Sequence, residues 1–353
     1  MITPALGATV GEGLLPWHRA LAQAMLERRA RWPQALLIAG RQGLGKRALA
    51  AHFARALLCE TPTANGEHCG RCAGCRYMAA RAHPDFRLIE PTEVDDDGNV
   101  EVVDWITVER IRDLTAFTQL STHRHRAKIA VIAPAEAMNP PAANALLKTL
   151  EEPQADTYLI LVSHQPARLP ATIVSRCQRL DIPKPDAAAA VAWLATHQIA
   201  DAARVLAQAG GSPLLALELA TPALLRESER WIGELAKPER LSPIAVGARF
   251  DATPKDERKA LLAAAFQLLL SWTADLAAVA SGGAPRFHPE HAATLASLAQ
   301  RVARVPLFRY YRTLLEQRAL LAHPLQPRLL AEALLIEYRK LFGAGQGLNA
   351  AAR

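Results

Sequence analysis

Long uncharged apolar runs are missing from this chain. No stretch of 18 or more residues is both apolar and free of charge, so no membrane-spanning helix is expected. The first residues, Met1-Ile2-Thr3-Pro4-Ala5-Leu6, lack a basic stretch and an apolar core, which argues against a secretory leader and leaves a cytoplasmic setting as the expectation. Aromatic residues are scarce at 5%, although half of the 353 residues are hydrophobic. Leu and Ala supply most of that half, so the core is expected to be aliphatic and largely helical. Cysteine is sparse too, but four of the five lie between Cys59 and Cys75. In a reducing compartment such a cluster points to metal rather than to disulfides. Net charge is only +7 and is spread along the chain, which permits contact with nucleic acid without requiring it. No internal repeat is evident.

One absence is confined to a single position. Gly40-Arg41-Gln42-Gly43-Leu44-Gly45-Lys46-Arg47 follows the phosphate-loop pattern G-x-x-x-x-G-K-[ST] up to its last residue. In a working loop the glycines let backbone N–H groups surround phosphates, the lysine reaches the outer phosphates, and the final hydroxyl holds Mg²⁺. Arg47 cannot ligate a cation and places positive charge where one would sit. The context is nevertheless right. Ala35-Leu36-Leu37-Ile38-Ala39 reads as a buried parallel strand, and Arg47 to Leu58 as a helix.

Further strands are expected at 85–90, 128–133 and 158–163, and helices at 14–31, Val108–Leu120 and Pro141–Leu150. Alternation of this kind defines an α/β parallel sheet covered by helices. Residues 91–104 are acidic and read as an exposed loop. The strands stop after Asp181-Ile182-Pro183-Lys184-Pro185, and the remainder reads as all-α, broken at Gly210-Gly211-Ser212-Pro213. A hydrolysing protein of this class carries an acidic pair after the 128–133 strand, for the metal and the attacking water. Ala133 and Pro134 stand there, and Glu136 is two residues too far. Two separate losses make hydrolysis at this site unexpected, while nucleotide binding through Gly40, Gly43, Gly45 and Lys46 stays open.

Cys69-x-x-Cys72-x-x-Cys75 with Cys59 supplies four thiolates, the donor set of a closed structural zinc site. Cys177 stands alone and reads as a small buried hydrophobe. Arg176, in Ser175-Arg176-Cys177, gains meaning only beside its neighbours. Asn144-Ala145-Leu146-Leu147-Lys148-Thr149-Leu150-Glu151-Glu152-Pro153 and Pro170-Ala171-Thr172-Ile173-Val174-Ser175-Arg176-Cys177 strongly resemble the clamp-loader branch of the AAA+ proteins, and the resemblance extends over essentially the whole chain.

That resemblance implies an AAA+ (RecA-like) domain at 1–182 with a zinc module at 59–75. It also implies a small helical lid at 183–238, a helical collar for oligomerisation at 239–343, and a tail at 344–353. It implies a component of the bacterial DNA polymerase III holoenzyme that helps load the sliding clamp onto primed DNA. Gamma/tau and delta loader subunits would be its partners, and it would have no ATPase of its own. Where the ATPase members of the branch place an arginine after Gly-Ser, this chain has Gly211-Ser212-Pro213-Leu214. Arg176 would serve in trans, reaching a neighbour's ATP site, and Thr107, Arg110, Arg124 and Arg126 are candidates for DNA contact. The competing readings are an active AAA+ ATPase with an atypical Mg²⁺ site, and a zinc-dependent nucleic-acid-binding module.

Overall fold

A computed structural model describes residues 13–94, 100–124, 126–255, 257–317 and 326–343. The segment Met1–Leu6, the tail 344–353 and the middle of the acidic stretch, 95–99, lie outside the described residues. Contacts divide the chain into two compact units, one ending at Pro185 and the other starting at Asp186.

The first unit contains β1 (Ala35–Ala39), β2 (Phe86–Ile89), β3 (Thr92–Val94), β4 (Val100–Val102), β5 (Lys128–Ile132), β6 (Thr157–Ser163) and β7 (Gln178–Asp181). Five of these form a parallel sheet in the order β2-β5-β6-β1-β7. β1 pairs with β6 from Ala35↔Leu159 to Ala39↔Ser163, and with β7 from Leu36↔Gln178 to Ala39↔Asp181. The alternation of a strand separates its side chains onto two faces. Leu36 and Ile38 join Ile129, Val131, Ile160 and Val162 on one face, under Leu49, Phe53 and Leu57 of the Lys46–Leu58 helix. Leu37 joins Ala130, Ile132, Leu159 and Leu161 on the other, under Ile111 and Leu114 of Val108–Gln119 and Leu146 and Leu150 of Pro140–Glu151. Burial on both faces is why these strands read as unbroken apolar runs.

Three segments differ from the sequence expectation. The helix expected at 14–31 is confined to Arg19–Leu26, between single 3-10 turns at Pro16–His18 and Arg29–Arg31. Gln178–Asp181 is a fifth sheet strand, although the sequence offers no apolar run there. It lies at the sheet edge with Gln178, Arg179 and Asp181 exposed, so pairing with β1 and not burial makes it a strand. Residues 92–94 and 100–102, expected as loop, form an antiparallel hairpin whose Val100 and Val102 are exposed.

The second unit is helical. Ala187–Thr196, Ala202–Gln208 and Pro213–Leu219 enclose a small core of Ala190, Leu194, Val205, Leu206 and Ala216. The longer helices start on sequence signals. Pro222 and Pro243 occupy first-turn positions where no N–H is needed, and Thr221 and Ser242 cap the N–H of Leu224 and Ala245. Arg258–Ala280 runs through the larger core, where Trp272 Nε1 donates to Tyr338 Oη (2.9 Å) and Tyr338 donates to the Leu235 carbonyl (3.0 Å). By length and composition Ala260–Ala280 could cross a membrane, yet 67% of its apolar window is buried within this core. Its Asp275, also buried, accepts the N–H groups of Arg286, Phe287 and His288.

His288 is fully buried against Ser271 (2.9 Å), and burial lowers its pKa to about 4; in the first unit, burial does the same to His18. A lowered histidine adds stability that is complete above the unfolded value near 6.5 and is lost as pH falls toward 4, by up to about 1.4 kcal/mol per pH unit for each group. The urea midpoint of the second unit should therefore drop between pH 7 and pH 4.5. The drop should be shallower in His288→Gln, as followed by tryptophan fluorescence.

Candidate functional site

Gly40–Gly45 leaves the C-terminal end of β1 and enters the Lys46–Leu58 helix, the position that phosphate loops occupy in open α/β sheets. Gly45 has φ +84°, and a Cβ there would lie 2.1 Å from Leu15 Cδ1. Only glycine allows Leu15 to pack this closely on the loop. Trp17 Nε1 donates to the Leu44 carbonyl (3.0 Å), and His18 is buried beside it. The segment before the loop therefore seals one side of it.

The loop is also satisfied from within. Lys46 is 2% exposed, and its Nζ donates to the carbonyl oxygens of Gly40 (2.7 Å) and Arg41 (2.5 Å). Burial lowers its pKa to about 8, and the charge of Glu136 partly offsets that. A phosphate would have to take Lys46 away from both carbonyls. At the next position, Arg47 forms a two-pronged ion pair with Glu90, Nη1–Oε1 2.9 Å and Nη2–Oε2 3.0 Å. Burial raises the pKa of Glu90, against the pull of Arg47. The position that should hold a cation thus holds a fixed guanidinium with its own counter-ion. Glu136 sits in the turn Ala135–Ala137, and its Oε1 accepts the N–H groups of His164 (2.8 Å) and Gln165 (3.2 Å). It acts as a backbone tie.

The four cysteines converge. The Sγ atoms of Cys59, Cys69, Cys72 and Cys75 lie within 4.8 Å of one another, and none forms a disulfide. Cys59–Cys72 is 3.9 Å and Cys69–Cys75 is 4.0 Å. A tetrahedral S₄ zinc site with bonds near 2.3 Å has edges of about 3.8 Å, so the spacing suits that ion. Backbone N–H groups already point at sulfur: Cys69 to Cys59 (3.2 Å), Cys72 to Cys69 (3.3 Å) and Cys75 to Cys72 (3.3 Å). The Thr61 hydroxyl, then the N–H groups of Arg71 and Cys72, pull the Cys69 thiol down to about 5. Burial, then Cys72, pushes Cys75 up to about 12. Four thiolates in one place need a cation to hold them. Gly74 is required sterically, since a Cβ there would meet the Leu58 carbonyl at 2.6 Å. Cys177 stays outside the cluster, and burial raises its thiol to about 11.

Arg176 follows the Ala171–Val174 helix with 37% of its side chain exposed. Nη2 meets Glu151 Oε1 (2.7 Å) and Nη1 donates to the Thr172 carbonyl (2.9 Å). The other sequence-selected cations are engaged. Thr107 is the residue before the Val108–Gln119 helix, and Arg110 donates to the Thr92 carbonyl of the hairpin. Arg124 pairs with Glu60 through Nε (2.6 Å) and Nη2 (2.5 Å), and Arg126 donates to the Glu60 carbonyl. Sequence reasoning missed the roles of Glu60, Glu90 and Glu151, the acids that pair with Arg124, Arg47 and Arg176.

These features define a phosphate-loop α/β protein whose loop is closed by its own side chains, with a cysteine module beside it and a helical unit after it. Residues 19–186 match the family described as DNA polymerase III, delta subunit. The chain is 45% identical over 210 residues to subunit delta' of DNA polymerase III from Pseudomonas aeruginosa, covering 58% of this chain and 61% of that one. Against subunit delta' from Haemophilus influenzae it is 31% identical over 243 residues, covering 67% of this chain and 70% of the relative. Among solved structures, a DNA polymerase III gamma subunit-related protein from Thermotoga maritima aligns over 91% of this chain and 99% of its own, at 18% identity and a TM-score of 0.46. The chain belongs to the DNA polymerase III delta' subunit family.

The purified chain should bind one equivalent of Zn²⁺. Substituting Co²⁺ should give the intense thiolate charge-transfer bands of an S₄ site, and Cys72→Ala should abolish them. Absorption titration checks this, and a spectrum without sulfur bands would remove the assignment.

Proposed function

We propose that this chain is a clamp-loader subunit that hydrolyses no ATP itself and serves a neighbouring ATPase subunit through Arg176. The observation that carries the reading is the Arg47–Glu90 pair beside the self-bonded Lys46. With the acidic pair also replaced by Ala133 and Pro134, every group that would bring Mg²⁺ and activated water to this loop is absent or committed elsewhere. Arg176 has the opposite character. It is half-exposed, anchored on one edge by Glu151 and Thr172, and not buried in its own unit's core. An arginine presented in that way suits a phosphate site on another chain.

On this reading the partners are the gamma/tau and delta subunits, the sliding clamp and primed DNA, and the setting is the cytoplasm. Residues 183–238 act as the lid and 239–343 as the collar that joins the subunits. The surface carrying Thr107, Arg110, Arg124 and Arg126 faces the DNA. Zinc holds the cysteine module and takes no part in chemistry, since four sulfur donors leave no open position.

The isolated chain should show no ATP turnover with Mg²⁺ and primed DNA. In a reconstituted loader, Arg176→Ala should lower the DNA-stimulated rate at the adjacent ATP site by roughly 10³- to 10⁵-fold, the range for arginine supplied in trans. Its melting temperature should be unchanged, because the side chain is outside the core. An unaltered rate at that site would remove the role given to Arg176, and Mg²⁺-dependent turnover by the chain alone would make it a motor.

A further inference from the structure

The sequence presents the cysteine cluster and the basic residues Arg124 and Arg126 as unrelated features, more than 45 residues apart. In the structure they meet on one side chain. Glu60 directly follows the ligand candidate Cys59. The short helix Ala73–Ala79 that carries Cys75 is capped by Cys72, whose sulfur accepts the Cys75 N–H. Glu60 Oε1 meets both Nε (2.6 Å) and Nη2 (2.5 Å) of Arg124. Glu60's carbonyl oxygen accepts from Arg126. The Arg124 guanidinium also lies over the ring of Tyr77, 5.4 Å from its centroid, on that same short helix.

A second anchor grips the backbone and not the side chains. Asp85, fully buried just before β2, accepts the N–H groups of His123 (2.8 Å) and Arg124 (3.1 Å). Asp85 belongs to the sheet, so it fixes the path of the chain whatever the cysteine module does. Glu60 belongs to the module, so the direction of the two guanidinium groups depends on the module's shape. In turn, that shape is set by the four sulfurs: Cys59 adjoins Glu60, and Cys72 and Cys75 hold the helix whose Tyr77 ring lies under the Arg124 guanidinium.

We propose that the metal-loaded cysteine module is the clasp that holds Arg124 and Arg126, so that metal occupancy decides whether two cations of the sheet unit are committed within the chain or free. The proposal rests on the metal reading of the cluster, and it assigns that metal a task beyond bracing its own loop. When the sulfurs separate, Glu60 loses its position, while Asp85 still holds the backbone at His123 and Arg124. The guanidinium groups are then released without unfolding the sheet.

Phenylglyoxal reads this directly, because it reacts with a free guanidinium while the backbone stays held by Asp85. Full-length chain should be treated briefly in three forms: zinc-loaded, chelator-treated, and zinc-loaded Glu60→Gln. Modification of Arg124 and Arg126 is quantified by mass spectrometry, against modification of Arg226 in the second unit, and bound zinc is measured in each sample. The chelated protein should be modified at least tenfold faster at both Arg124 and Arg126, and Glu60→Gln at Arg124 alone, since its backbone carbonyl still holds Arg126, with Arg226 unchanged and one zinc retained by Glu60→Gln. Equal reactivity of Arg124 in zinc-retaining Glu60→Gln and the parent would overturn the clasp while leaving the metal site intact. A parent chain that binds no zinc would overturn the metal reading and the clasp together.

Discussion

A buried ammonium group governs the first unit. Lys46 opens the helix that follows β1, 2% exposed and next to the Gly45 turn on which Leu15 and His18 pack, where water cannot solvate it. An unpartnered charge in such a place is costly, so something must stand in for water. In a nucleotide-binding protein the phosphates would do so. Here the loop's own carbonyls at Gly40 and Arg41 do, and the curl that brings them to Nζ gives the loop its shape. The Arg47–Glu90 pair continues the same solution one residue along. Lys46 and Arg47 thus both have partners from within the chain.

The cysteine module follows the same logic with opposite sign. Four sulfurs concentrate negative character once ionised, and N–H groups from Cys69, Cys72 and Cys75 meet that charge before any ion does. The module is also built into the unit, since Leu58 and Gly74 pack with no room for a Cβ and the Lys46–Leu58 helix runs directly into Cys59. Glycine loop and cysteine cluster thus lie at the two ends of one helix.

Much of this was legible in the sequence, for a physical reason. β1, β5 and β6 are covered on both faces, so they appear as continuous apolar runs such as Ala35–Ala39 and Lys128–Ile132. The loop and the cysteines are also local, with their spacing printed in the chain. β7 was not legible because Gln-Arg-Leu-Asp carries no burial signal and becomes a strand only by pairing with β1. The acids Glu60, Glu90 and Glu151 were equally invisible. Each meets its arginine across 25 to 64 residues of chain, and nothing local to either residue records the encounter. Sequence therefore showed where the chain departs from the phosphate-loop pattern, and the structure showed which acid Arg47 meets.

β7 has one more consequence. Immediately after it, Ile182 donates its N–H to the Ala39 carbonyl (2.8 Å), and its own carbonyl lies where a Cβ on Gly40 would come within 3.0 Å. Ile182, the residue before Pro183-Lys184-Pro185, is therefore bolted to the first residue of the glycine loop. In mechanical terms the chain leaves Ile182 as a beam leaves a wall, from a clamped end. Any load carried by the proline segment is delivered to the root of the loop that Lys46 has already locked.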